Sequence, residues 1–146
     1  MVTVQNKTLP TKLIIFDLDD TLLKRDTNEI SNKKKSIITF LKEQGFKVGM
    51  ASLNCYAKDI LAKNGIEEYF DYIQHRTKET FNILNKTTML QNILKELNVT
   101  ADNTILFDDN YQHCTEAMSL GIKFVYVNKR FGVRWRDIKT VINSFN

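Results

Sequence analysis

The chain has 146 residues, 42% hydrophobic and 26% charged, and 21 Lys and Arg against 17 Asp and Glu leave a formal charge of +4. That length suits one domain, and that balance is of a folded globular chain rather than a disordered one. The longest apolar runs, at 13–16 and 124–127, fall far short of the about 20 residues a membrane span needs, and no signal-peptide core stands at the N-terminus, so a cytoplasmic protein is expected. The mild positive excess is compatible with an anionic substrate and is not by itself a sign of nucleic-acid binding.

The only proline is Pro10, which predicts an N-terminal extension over 1–11 and one ordered domain over 12–146. Residues 12–17 (KLIIFD) are apolar and short, as a buried parallel strand should be. Ser31 caps a predicted helix running to about Gln44, with Ile37, Ile38 and Leu41 inward and Gly45 at its end. Segment 46–51 is a second strand. A helix follows over 55–64, with Tyr56, Ile60 and Leu61 on one face.

Residues 70–74 make a shorter strand, and 87–97 a strongly periodic helix through Met89, Leu90, Ile93, Leu94 and Leu97. The next buried strand is 104–108 (TILFD). Tyr111, Cys114, Ala117 and Met118 mark another helix, closed by Gly121; 122–127 is a last strand and 133–145 a terminal helix. Both cysteines, Cys55 and Cys114, fall on predicted helices without metal spacing, so buried reduced thiols are expected rather than a disulfide or a zinc site.

Strand and helix alternate almost throughout. This predicts an α/β fold: a doubly wound, Rossmann-like parallel sheet with helices on both faces, whose ligand sits beyond the carboxyl ends of the strands. The first strand runs into Asp17-Leu18-Asp19-Asp20-Thr21, and the fourth ends in Asp108-Asp109. One acidic turn after a strand is commonplace. Two such ends converging would gather up to four carboxylates, which repel one another unless a hard, oxygen-seeking cation is bound, and Mg²⁺ is the natural candidate.

Ser52 ends the second strand (GMAS), where its hydroxyl can meet a phosphoryl oxygen; it and Asn54 are equally suited to capping the helix that follows. Lys86 stands just before a strong helix, where a cation opposes the helix dipole, a cost that function would explain; Lys78 is the competing cation.

In this order, FDLDDTL at 16–22, Ser52, Lys86 and FDD at 107–109 resemble the motifs of the haloacid dehalogenase (HAD) superfamily of phosphatases and phosphotransferases, over roughly residues 12–127. The step of 12 residues from Asp109 to Gly121 is similar to that family's spacing and places Asp109 at its metal-ligand position. Asp108 then stands where Gly is frequent, and His113 where many members carry a second Asp. The chain looks like the small capless, magnesium-dependent subgroup, since no cap domain fits between Asp19 and Ser52 or between Ser52 and Lys86. Leu53 departs from the Arg usual there.

The resemblance implies a phosphomonoester hydrolase with Asp17 as nucleophile, passing through an aspartyl-phosphate, and Asp19 as general acid and base. It implies Mg²⁺ on Asp17, the Asp19 carbonyl and Asp109, with Asp108 in support or exchanging roles with Asp109, and Ser52, Asn54 and Lys86 on the substrate phosphate. An open site suits a phosphoprotein, phosphotyrosine-like, or another accessible phosphate. Lys129, Arg130, Arg134 and Arg136 around Phe131 and Trp135 leave a nucleic-acid end as an alternative, against a terminal helix with Trp135 packed inward and its charges in water. Further alternatives are a phosphotransferase and a receiver-like phosphoacceptor without sustained hydrolysis. No membrane partner is expected, and oligomeric state is not legible.

Overall fold

Five short apolar segments become the strands of one parallel sheet: β1 (Leu13–Phe16), β2 (Lys47–Ser52), β3 (Tyr72–His75), β4 (Thr104–Asp108) and β5 (Lys123–Tyr126). Their order across the sheet is β3-β2-β1-β4-β5, and every pairing is parallel. The computed structural model describes residues 11–24, 26–80 and 84–145, so the expected extension over 1–11 lies almost wholly outside the described residues. Five helices make the crossovers and the C-terminal cover: α1 (Asn32–Glu43), α2 (Ala57–Lys63), α3 (Lys86–Leu97), α4 (Tyr111–Ser119) and α5 (Trp135–Phe145).

Alternation along β1 sorts the core into two layers. Ile14 and Phe16 pack with Ile37, Leu41, Leu61, Ile138 and Val141 under α1, α2 and α5. Leu13 and Ile15 face the other way, onto Met89, Ile93 and Ala117 of α3 and α4. Each such aliphatic side chain contributes about 1.5–3 kcal/mol by leaving water. β1 and β4 are buried along their whole length, as central strands of a covered sheet should be. The doubly wound parallel architecture read from the sequence is the one observed.

Helix starts are set by side chains that accept otherwise unpaired backbone N–H groups. Ser31 Oγ takes the Lys34 N–H at 3.3 Å, Asn85 Oδ1 that of Thr88 at 2.9 Å, and Asn110 Oδ1 that of His113 at 3.2 Å. A cap of this kind is worth about 1 kcal/mol.

Two helix readings need correction. α2 starts at Ala57 rather than at 55, because Asn54 Oδ1 accepts the Tyr56 N–H at 2.8 Å and holds 54–56 as a turn. Cys55 is therefore off the helix and half-buried, and Tyr56, expected on the inner face, is 69% exposed. α4 has nine residues and buries only Cys114 and Ala117; Tyr111 and Met118 point outward, Tyr111 resting edge-on against Tyr126 at 5.4 Å.

Between Asp19 and Ser52 the chain forms a short hairpin, Leu23 bridging Ile30, and then α1. Between Ser52 and Lys86 the described elements are α2, a 3-10 turn at Glu67–Tyr69 and β3. Among the described residues there is no cap domain, and no helix is long and apolar enough to cross a membrane.

Candidate active site

Parallel strands bring their carboxyl ends to one edge, and the register decides which residues meet there. Phe16 is level with Phe107 on β4 and Met50 on β2, so Asp17 and Asp108 come next in line on neighbouring strands, with Ser52 closing β2 beside them. Asp17 N–H donates to the Phe107 carbonyl at 3.0 Å, which carries the ladder one residue past β1. The chain then turns sharply: the Leu18 carbonyl accepts the N–H groups of Thr21, Leu22 and Leu23, and Asp20 takes a left-handed backbone at φ 58°.

Carboxylate oxygens of Asp17, Asp108 and Asp109 lie within 4.8 Å of one another. Lys86, the first residue of α3, is 1% exposed and sends its ammonium between two of them. Its Nζ is 3.2 Å from Asp17 Oδ1 and 3.2 Å from Asp108 Oδ2, and it donates to the Ala51 carbonyl at 2.5 Å. Three acceptors match the three N–H bonds of an ammonium. Lys78, the rival cation, is exposed, and the ammonium paired with Asp17 and Asp108 is that of Lys86.

Burial and neighbouring charge set the protonation here. Burial, with the Asp108 and Asp109 charges, lifts the Asp17 carboxyl well above its ordinary value despite the pull of Lys86. Burial, with the neighbouring Asp108 charge, also lifts Asp109. Asp108 goes the other way: burial is overcome by the hydrogen bond from His113, the Lys86 charge and the Asn110 N–H. Burial would lower Lys86, but Asp17 and Asp108 together raise it above the ordinary lysine value. Two buried carboxylates and a half-buried third against one ammonium leave an excess of negative charge that a divalent cation is suited to balance, so the donor set fits Mg²⁺.

The remaining residues are placed as follows. The Asp19 side chain stands apart from the three carboxylates, its Oδ1 accepting from Asn54 Nδ2 at 3.1 Å. Ser52 is fully buried and its Oγ accepts the Asn54 N–H at 3.0 Å. Asn54 thus shapes the turn before α2 and holds Asp19 at once. His113 does reach the site, with Nδ1 3.2 Å from Asp108 Oδ2, in the place where a second Asp is usual. Two features escaped the sequence reading: the Asn110 N–H on Asp108 Oδ1 at 2.9 Å, and the wholly buried Thr21, whose hydroxyl has no hydrogen-bond partner. The threonine of Asp-x-Asp-x-Thr was the available signal for the second; none marked the first.

The family model described as haloacid dehalogenase-like hydrolase matches residues 25–127, beginning just past the Asp17–Thr21 turn. A haloacid dehalogenase-like family hydrolase from Streptococcus pneumoniae superposes with a TM-score of 0.70 at 12% identity, over 93% of this chain and 99% of that one. A HAD phosphatase from Thermococcus onnurineus gives 0.68 at 16% identity, over 85% and 89%. The N-terminal part of a Bacteroides fragilis protein, containing a phosphatase domain complexed with Mg, gives 0.64 at 17% identity, over 90% of this chain and 40% of that one. At these identities the likeness is one of fold. No curated protein matches the chain.

Proposed function

Since the chain belongs to the haloacid dehalogenase-like hydrolases, we propose that it is a magnesium-dependent phosphomonoester hydrolase working through an aspartyl-phosphate on Asp17. The observation that carries this reading is the Lys86 ammonium held between Asp17 and Asp108 while Asp109 closes the carboxylate group. A lone carboxylate repels a phosphate dianion; one at the mouth of a sheet, beside a buried cation, can approach phosphorus.

Asp17, Asp109 and the Asp19 carbonyl, with Asp108 in support, would hold Mg²⁺. When bound, the ion supplies positive charge that offsets repulsion between Asp17 and the phosphate. In the first step an Asp17 carboxylate oxygen attacks phosphorus in line and the bond to the leaving oxygen breaks. Asp19 gives that oxygen a proton, from the carboxyl oxygen that Asn54 does not hold. In the second step water attacks the same phosphorus, its proton passes to Asp19, and the bond to Asp17 breaks, restoring both residues. Ser52 and Asn54 border the phosphoryl position, and Lys86 draws charge from it.

With no cap over the described strand ends, the mouth admits a phosphate carried on a macromolecule, a phosphoprotein included. The test is phosphate release from p-nitrophenyl phosphate, a phosphotyrosine peptide and phosphorylated oligonucleotides, with Mg²⁺ or chelator, for wild type and Asp17→Asn. Magnesium-dependent turnover that Asp17→Asn loses at least 1,000-fold, about 4 kcal/mol of barrier, with an unchanged circular-dichroism spectrum, is the expected result. Turnover retained in Asp17→Asn would sink the scheme. Stoichiometric labelling of Asp17 without release would mark a phosphoacceptor or transferase instead.

A further inference from the structure

A basic stretch, Lys129, Arg130, Arg134 and Arg136, lies outside the catalytic scheme, on the loop that follows β5 and at the start of α5. That loop is fixed in place. The Asn128 carbonyl accepts the Gly132 N–H at 2.7 Å, and Asn128 Oδ1 accepts that of Arg130 at 2.8 Å. Val133 N–H donates to the Thr21 carbonyl at 2.9 Å, two residues from Asp19. Gly132, at φ +67°, allows this approach, since a Cβ there would sit 2.4 Å from the Thr21 oxygen. From the other side Lys34 Nζ donates to the Phe131 carbonyl at 2.8 Å. The loop is bolted to the turn that carries the site.

On one side of it, Phe131 (51% exposed) and Trp135 (39% exposed) line a groove of about 410 Å³ between the starts of α1 and α5, with Lys33 and Arg136 also in its lining. Trp135 is packed inward only in part, edge-on against Phe40 at 5.4 Å. The guanidinium of Arg130 lies 5.7 Å from the Phe131 ring centroid. On the other side, Lys129 and Tyr126 share a second concavity of about 650 Å³ with Asp109 itself. Among the described residues, Lys33, Lys129, Arg130 and Arg136 have no carboxylate within ion-pair distance.

Unpaired cations interleaved with exposed rings suit a chain that alternates phosphates with flat bases. An acidic peptide would use the charge and leave the rings idle. We propose that this face binds single-stranded nucleic acid and leads its phosphorylated end over Lys129 to Asp17, an inference that rests on the hydrolase reading above.

The experiment uses the full chain and fluorescein-labelled single-stranded oligothymidylate, its binding followed by anisotropy from 50 to 200 mM salt. Arg130→Glu/Arg136→Glu should weaken binding at least tenfold and reduce the slope of log K against log salt by about 1.4, the value for two lost single-strand phosphate contacts. Phe131→Ala, at an exposed position, should weaken binding with the slope unchanged. In parallel, kcat/KM on a terminally phosphorylated oligonucleotide should fall about tenfold in the double variant. Turnover of p-nitrophenyl phosphate should stay within twofold, because neither arginine lines the carboxylate site.

Binding that is absent in wild type, or indifferent to both variants, overturns the proposal. An equal loss on an acidic phosphotyrosine peptide overturns it too, by making the surface one for acidic protein. Oligonucleotide binding without phosphate release from any substrate supports the surface and overturns the hydrolase reading, so the two failures are distinguishable.

Discussion

Replacing Lys86 by Met keeps the length of the side chain and removes the charge that Asp17 and Asp108 share. Both carboxylates stay in place, 8% and 0% exposed, and lose an ammonium 3.2 Å from each. Breaking a buried pair by deleting one partner costs about 3–5 kcal/mol. Protonation limits that cost, because a buried carboxylate that loses its cation takes up a proton. Neutralising one carboxyl of ordinary acidity at pH 7 costs about 4 kcal/mol, which is the same range. The site carboxylates of Lys86→Met should then hold about one more proton than those of wild type in the folded state, so its penalty should grow with pH by about 1.4 kcal/mol per unit.

The signs agree with the other groups. Lys86 is raised above the usual lysine value, so its own stabilisation is complete below that value and is lost only in strong alkali, outside this window. Asp17 is raised, so its ionisation costs stability as pH climbs through its folded value, more steeply once the cation is gone. Urea unfolding of both proteins in chelator at pH 5 and pH 7.5 should give a difference of about 1 kcal/mol at the lower pH and about 4 at the higher. A difference that is the same at both values, or under 1 kcal/mol at pH 7.5, would refute the account of Lys86 as the counter-charge of this site.

Mg²⁺ should bind more weakly in acid, because burial raises both Asp17 and Asp109 and the ion must displace their protons. Calorimetry at pH 6 and pH 8 should show tighter binding and less proton release at the higher pH, and a pH-independent affinity would contradict this. Burial pushes the Cys114 thiol up to about 12, so a thiol reagent at pH 8 should titrate one cysteine, Cys55, in the native protein and two in urea. Gly132→Ala should lower stability by about 1–3 kcal/mol, from the positive φ and the clash with the Thr21 carbonyl. A thermal shift below one degree would show that the loop is not seated there.

What could be read from the sequence was whatever follows from local pattern and parallel topology. TILFD is the strand its pattern predicts, bounds included, and alternating elements force Asp17 and Asp108 to one edge. Lys86 could be singled out because a cation at the start of a helix is locally unfavourable. Outward-facing Tyr111 and Met118 could not be anticipated: in a nine-residue helix, apolar residues just outside the buried stripe have the same spacing as those within it. Nor could the span of 35 residues from Asn54 to Asp19, or the docking of Val133 on Thr21, since both depend on where loops of unspecified shape come to rest. His113 on Asp108 lies between these cases, because the helical spacing allowed the contact but the residue type argued against it.

The opposite shifts of the three carboxylates favour a division of labour among them. Asp108 is tied by Lys86, His113 and the Asn110 N–H, and these hold it ionised with its oxygens already engaged. Asp17 and Asp109 are the pair that resist ionisation, and their carboxylate oxygens lie within 4.8 Å of each other. Carboxylates this close repel one another when both are ionised, and a divalent cation between them relieves that repulsion. On this ground Asp109, rather than Asp108, would be the companion of Asp17 in holding the proposed metal, while Asp108 fixes the ammonium. Asp108→Asn should therefore lower stability and displace Lys86 more than it weakens Mg²⁺ binding. Asp109→Asn should do the reverse, and calorimetry with Mg²⁺ beside urea unfolding in chelator separates the two.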